Sequence, residues 1–177
     1  DWFNIGNNES AFVALNPDDP SKIYSTNYQG NISIYESSTG MARDIMAYPN
    51  SGLASLPGSS QYRFNWNAPA QVSPHNPEVL YHAANVVLKT EDQGKTWQEI
   101  SPDLTRNQES KQGAGGGPFT NEGAGAEVYN TISYMVCSPL KAGEIWVGKD
   151  DGLVHYTKDE GKSWKNITPP NIGAAYV

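Results

Sequence analysis

Asp92-Gln93-Gly94-Lys95-Thr96-Trp97 returns later in the chain as Asp159-Glu160-Gly161-Lys162-Ser163-Trp164. Both copies continue to an isoleucine and a hydroxyl residue at the same spacing, through Trp97-Gln98-Glu99-Ile100-Ser101 and Trp164-Lys165-Asn166-Ile167-Thr168. A duplicated D-x-G-K-[ST]-W hexapeptide marks a repeat protein. Its chemistry suits a tight hairpin. The aspartate accepts backbone N–H groups ahead of it, and the glycine supplies positive φ. A hydroxyl residue and a tryptophan then open the next strand, where the large ring can wedge between layers. The aspartates read as turn staples rather than catalysts.

The hexapeptide resembles the Asp-box, or BNR, repeat of sialidase-like and sortilin (VPS10)-like β-propellers. That resemblance implies a box closing the hairpin between the third and fourth strands of each blade, opposite the ligand face. Outside the boxes, Tyr62-Arg63-Phe64-Asn65-Trp66-Asn67-Ala68-Pro69 and Asn121-Glu122-Gly123-Ala124-Gly125-Ala126-Glu127-Val128-Tyr129 resemble large secreted bacterial proteins of glycosyl-hydrolase-like or VPS10 type. Those proteins are much longer, which implies that this chain is one piece of such a propeller.

Composition agrees with short strands and many turns. The 177 residues include 17 glycines and 12 prolines, 11% are aromatic and only 18% are charged. Helical periodicity is absent beyond a short attempt at 40–48. A formal net charge of -7 disfavours nucleic acid or an anionic membrane as partner. No stretch approaches membrane-spanning length, so membrane insertion is not expected. The single cysteine, Cys137, excludes an intrachain disulfide and reads as a buried strand residue. His75, His82 and His155 lack ligand spacing, so neither a metal nor any other cofactor is expected.

In order, residues 1–6 read as the last strand of a preceding blade, because Trp2-Phe3-Asn4-Ile5 matches the W-x-x-I after each box. A blade with a degenerate box, Ser37-Ser38-Thr39-Gly40, spans 11–47. Blades with full boxes span 65–101 and 127–168, and insertions occupy 48–64 and 102–126. The expected fold is therefore all-β: part of a β-propeller, with about three four-stranded antiparallel blades and one orphan outer strand. Closed propellers typically need about four to eight blades. The remaining blades are expected from a longer chain or another subunit.

Strand direction places the boxes and the Asn16-Pro17-Asp18-Asp19-Pro20 and Ser73-Pro74-His75-Asn76-Pro77 turns on one face, here the lower. Both insertions and the Lys149-Asp150-Asp151-Gly152 loop fall on the other, where long loops on a rigid scaffold usually bind. Four upper-face carboxylates are candidates for catalysis: Glu122, Glu127, Asp150 and Asp151. Paired carboxylates serve glycoside hydrolysis as acid plus base or nucleophile. Arg63, Asn65, Trp66, Asn67 and Tyr129 are candidate ligand contacts, with amides to hydrogen-bond and rings to stack on sugar. Glu127 and Tyr129, two apart at the start of an innermost strand, are expected on one side. Some of these also have a structural reading: Asp150-Asp151-Gly152 as a plain turn, Glu122 and Glu127 as loop staples, Trp66 as inter-blade packing.

Asp92, Gly94, Trp97, Asp159, Gly161 and Trp164 are assigned to structure. Three functions remain open: a non-catalytic site for a glycan or peptide, a scaffold, or a glycoside hydrolase, the first two together slightly favoured. A true sialidase is disfavoured, since its resemblance implies three arginines on the sugar and only Arg63 sits near the expected mouth. The resemblance also implies a secreted, extracellular or periplasmic location.

Overall fold

The computed structural model describes residues 4–6, 12–49, 56–113 and 128–173. The expected sites Glu122 and Glu127, and Trp2 and Phe3 of the orphan strand, lie outside the described residues.

Among the described residues, twelve short strands form three four-stranded antiparallel sheets, each in sequential order. The first blade holds β1 (Val13–Leu15), β2 (Lys22–Thr26), β3 (Ile32–Glu36) and β4 (Met41–Asp44). The second holds β5 (Ala70–Val72), β6 (Leu80–Ala83), β7 (Val87–Thr90) and β8 (Gln98–Glu99). The third holds β9 (Ile132–Cys137), β10 (Ile145–Lys149), β11 (Val154–Thr157) and β12 (Lys165–Asn166). Alternating apolar residues give each sheet two faces. Met135, Cys137, Ile145 and Val147 of the third blade bury against Val79, Tyr81, Ala83 and Val87 of the second. Ala14, Tyr24 and Ile34 of the first bury against Ala70, Val72 and Leu80. Tyr24 and Tyr81 are 2% and 3% exposed, and burial of each large side chain contributes about 1.5–3 kcal/mol.

The boxes supply the polar half of these junctions. Asp92 Oδ1 accepts from the Thr96 N–H at 2.9 Å and the Thr90 hydroxyl at 2.8 Å, and Oδ2 accepts from the Thr96 hydroxyl at 2.7 Å. Asp159 repeats this with Ser163 and Thr157. Each box tryptophan then reaches back one blade. Trp97 Nε1 donates to the Ile45 carbonyl and Trp164 Nε1 to the Ile100 carbonyl, both at 2.8 Å. Gly94 and Gly161, at φ 77° and 85°, press against those same isoleucines: an added Cβ at Gly161 would lie 2.2 Å from the Ile100 carbonyl oxygen. Glycine is needed both for its backbone angle and for this approach.

Two sequence expectations need correction. Asn65 to Asn67 form a turn ahead of β5, not its first residues. The Asn65 carboxamide accepts the Asn67 N–H at 3.2 Å, closing an Asx turn that competes with sheet pairing. Tyr129 likewise precedes β9, which begins at Ile132, and Asn130 beside it has φ 63°, so strand alternation does not govern where Tyr129 points. Of the expected orphan strand only Asn4 to Gly6 lie among the described residues: the Gly6 N–H bends back to Asn4 Oδ1, and Gly6 lies over Ser25 and Ser33 of the first blade.

Candidate functional site

The upper rim is assembled from loops that the second and third blades pin to one another. Asn130 and Thr131, both fully buried, are the hub. The Thr131 hydroxyl accepts from Asn65 Nδ2 at 2.9 Å and donates to Asp150 Oδ2 at 2.7 Å, while its N–H donates to Asp150 Oδ1 at 3.0 Å. The Asn130 carbonyl accepts from Arg63 Nε at 3.3 Å, and Asn130 Nδ2 donates to Asp151 Oδ2 at 3.1 Å. Asn130 Oδ1 accepts the Gln108 N–H at 2.9 Å, tying in the second insertion.

Arg63, Asn65, Asp150 and Asp151 are therefore brought together, as bonded supports of the rim. Asp151 is 0% exposed, and its carboxylate also accepts the N–H groups of Arg106 at 2.6 Å and Leu153 at 3.2 Å. Arg106 Nε returns to the Asp151 carbonyl at 2.9 Å. Burial pushes the Asp150 carboxyl above its usual range, against the opposing bonds from Thr131. Arg63 Nη2 lies 2.5 Å from Asp103 Oδ2. Burial opposes the Asp103 charge, but hydrogen bonds from Thr105, Arg63 and Asn85 outweigh it and hold the carboxyl below its usual range.

Below this hub sits Lys149, 0% exposed, with Nζ 2.5 Å from His155 Nδ1. Burial lowers the Lys149 amine to about 7, against the pull of Asp151 and Asp103. Burial and the neighbouring Lys149 lower His155 to about 4.

Trp66 and Asn67 are less buried than this network. The Trp66 ring is half-buried and packs on Tyr28 of the first blade, centroids 5.5 Å apart, while Asn67 is exposed. Tyr28 opens a short turn capped by Asn27 Oδ1, which accepts the Tyr28 N–H at 2.8 Å, and Gln29 follows at φ 63°. Gly30 in that turn lies under the Phe64 ring, where a Cβ would meet ring carbons at 2.3 Å. The turn and the Arg63–Asn67 segment thus hold each other, and the two rings lie across the junction of the first two blades. Tyr129 is half-buried under Lys111, whose Nζ lies 4.8 Å from the ring centroid.

Tyr28, Asn130, Thr131 and Asp103 escaped the sequence reading. Tyr28 carried one usable signal, the Asn-Tyr-Gln-Gly turn composition on the upper face. Among the described residues no group of three or more His, Cys, Asp or Glu is placed to hold a metal ion, and no helix is long and apolar enough to cross a membrane.

No protein-family model matches the chain. A probable oligoxyloglucan-reducing end-specific xyloglucanase of Neosartorya fischeri is 27% identical over 162 residues, which cover 88% of this chain and 17% of that protein. Among solved structures, a GH74 xyloglucanase from Xanthomonas campestris superposes with a TM-score of 0.55 at 19% identity, over 88% of this chain and 23% of that one. A structure of YCF48 bound to D1 peptide gives 0.53 at 16% identity, over 93% and 43%. The fold is that of a β-propeller. The three sheets are three of its blades. The chain spans about a sixth of the length of the curated relative.

Proposed function

We propose that these blades belong to a secreted propeller that binds a glycan chain along its upper rim without cleaving it. The Trp66 indole backed by Tyr28 is the sugar platform, and the exposed Asn67 supplies hydrogen bonds. The observation that carries this reading is a partly exposed aromatic pair beside an exposed asparagine, next to carboxylates already occupied by the fold. Sugar rings offer apolar C–H faces to such a platform. The xyloglucanase relative and the xyloglucanase neighbour support a glycan as the ligand class. Titration calorimetry of the full-length protein with xyloglucan oligosaccharides tests it. Trp66→Ala should weaken binding about thirty-fold, the loss of a hot-spot contact of about 2 kcal/mol. Unchanged affinity in that variant would remove the reading.

Two other readings have their own support. A glycoside hydrolase would use Glu122, Glu127, Asp150 or Asp151, and the upward shift of the Asp150 carboxyl suits a proton donor. Loss of xyloglucan turnover in Asp150→Asn with binding retained would favour it. A peptide site is supported by the peptide-bound neighbour. Displacement of the oligosaccharide by an extended peptide, with Trp66→Ala abolishing peptide binding, would favour that site.

A further inference from the structure

The upper rim spends its described carboxylates inside the fold and leaves two cations over. Asp103, Asp150 and Asp151 each accept at least two hydrogen bonds from the protein. Of the arginines, Arg43 Nη2 donates to the Gln93 carbonyl at 3.0 Å, and Arg63 is committed to Asp103 and to the Asn130 carbonyl. Arg106 is held differently. Its backbone N–H donates to the Asp151 carboxylate at 2.6 Å and its Nε to the Asp151 carbonyl at 2.9 Å, yet the residue is exposed. Among the described residues its two Nη groups have no acceptor.

The segment that follows closes on itself. Gln112 Nε2 donates to Asn107 Oδ1 at 2.8 Å, and Asn107 takes φ 45°. Arg106 and Lys111 therefore sit beside the two residues that close this loop. Lys111 is exposed, with Nζ 4.8 Å from the Tyr129 ring centroid, and it enters none of the ion pairs among the described residues. The loop is tied to the rim that carries Trp66. The Gln108 N–H donates to Asn130 Oδ1, and the adjacent Thr131 hydroxyl accepts from Asn65, the neighbour of Trp66. Bracing the Asp151 loop uses only the Arg106 N–H and Nε. The end-on fork of the two Nη groups is left over, and that fork matches a carboxylate bidentately.

We propose that Arg106, with Lys111 at the other end of its loop, is an anion subsite of the upper rim that takes a carboxylate of an acidic, uronate-bearing glycan. The inference rests on the glycan reading of the Trp66 platform and adds the charge class of the sugar. The carboxylate docks on the two Nη groups as a charge-assisted pair, and Lys111 lends a second positive charge without fixed geometry. A formal net charge of -7 repels anions from the chain as a whole. An acidic sugar therefore gains only where unspent cations lie closer to it than the carboxylates do, and within the rim that place is Arg106.

Titration calorimetry of the full-length protein tests this with xyloglucan oligosaccharides before and after chemical oxidation of their primary hydroxyls to carboxylates. At low ionic strength the oxidised form should bind about tenfold more tightly than its parent. Raising ionic strength from about 0.01 M to about 0.15 M should narrow that gap. Arg106→Gln should close it, weakening the oxidised form about tenfold and the parent by no more than about twofold. Lys111→Gln, at an exposed position, should narrow it. Equal affinity of the wild type for the two forms would overturn the inference while leaving the glycan reading standing, whether or not a variant folds. A gap that survives Arg106→Gln would overturn it as well. So would equal weakening of both forms, which makes Arg106 a brace for the rim alone. Binding of neither form removes the glycan reading and this inference with it.

Discussion

Acidification should destabilise the junction of the first two blades through one residue, His82. Its side chain is 0% exposed, stacked on Phe64 with centroids 4.9 Å apart and flanked by Trp97 at 6.1 Å. Nδ1 lies 2.9 Å from the Pro69 carbonyl and Nε2 3.4 Å from the Gly30 carbonyl. Burial lowers the imidazole to about 4 from an ordinary 6.5, and the two carbonyls only partly offset this. The unfolded chain therefore takes up the proton at higher pH than the folded one. Stability is full above about pH 6.5, falls as pH drops toward 4, and is not lost further below that. At about 1.4 kcal/mol per pH unit the window amounts to about 3 kcal/mol. His82→Gln keeps an N–H donor and cannot titrate. Urea unfolding followed by tryptophan fluorescence at pH 7.5 and pH 4 should show the wild type losing about 3 kcal/mol more than the variant. His155 titrates with the same sign in both proteins and cancels in the difference. Equal losses in the two proteins would refute the reasoning.

Three further outcomes follow from the boxes and the hub. Gly161→Ala should cost about 2 kcal/mol or more, since a left-handed angle alone costs about 1–2 and the Cβ also meets the Ile100 carbonyl. Gly40→Ala, at φ 71° with open space around it, should cost only the angle; denaturation midpoints compare the two. Trp97→Phe leaves the Ile45 carbonyl without its indole donor and should cost about 1–3 kcal/mol by the same assay. Wild-type stability should rise with pH from about 7 to about 9, because the folded Lys149 amine loses its proton near 7 and the unfolded one near 10.5, while the buried Cys137 thiol, pushed up to about 12 from 9, opposes the rise only above about 9. Lys149→Met should abolish that rise in melting temperatures taken across the range.

The blades were legible in the sequence because their determinants are local. Asp92 reaches Thr90 and Thr96 within seven residues, and the same short code reappears at Asp159. The rim was only half legible. Trp66 stood out as an aromatic beside amides, but its partner Tyr28 lies 38 residues earlier on another blade. Asp150 and Asp151 looked like mouth carboxylates because nothing near them in sequence shows their partners. Thr131 is 19 residues and Arg106 45 residues away, and both are brought in by folding. Asn130 left no signal beyond an asparagine, since its role depends on φ 63° and on bonds to both the second insertion and the Asp151 loop.

The central claim is that the boxes hold blades together while the opposite rim binds. Hydrogen exchange of the full-length protein, with and without saturating xyloglucan oligosaccharide, separates the two faces in one measurement. Added protection should fall on segments 27–31 and 62–67, with 92–97 and 159–164 unchanged. Protection confined to the box hairpins, or absent from the Trp66 segment while sugar is bound, would contradict the account.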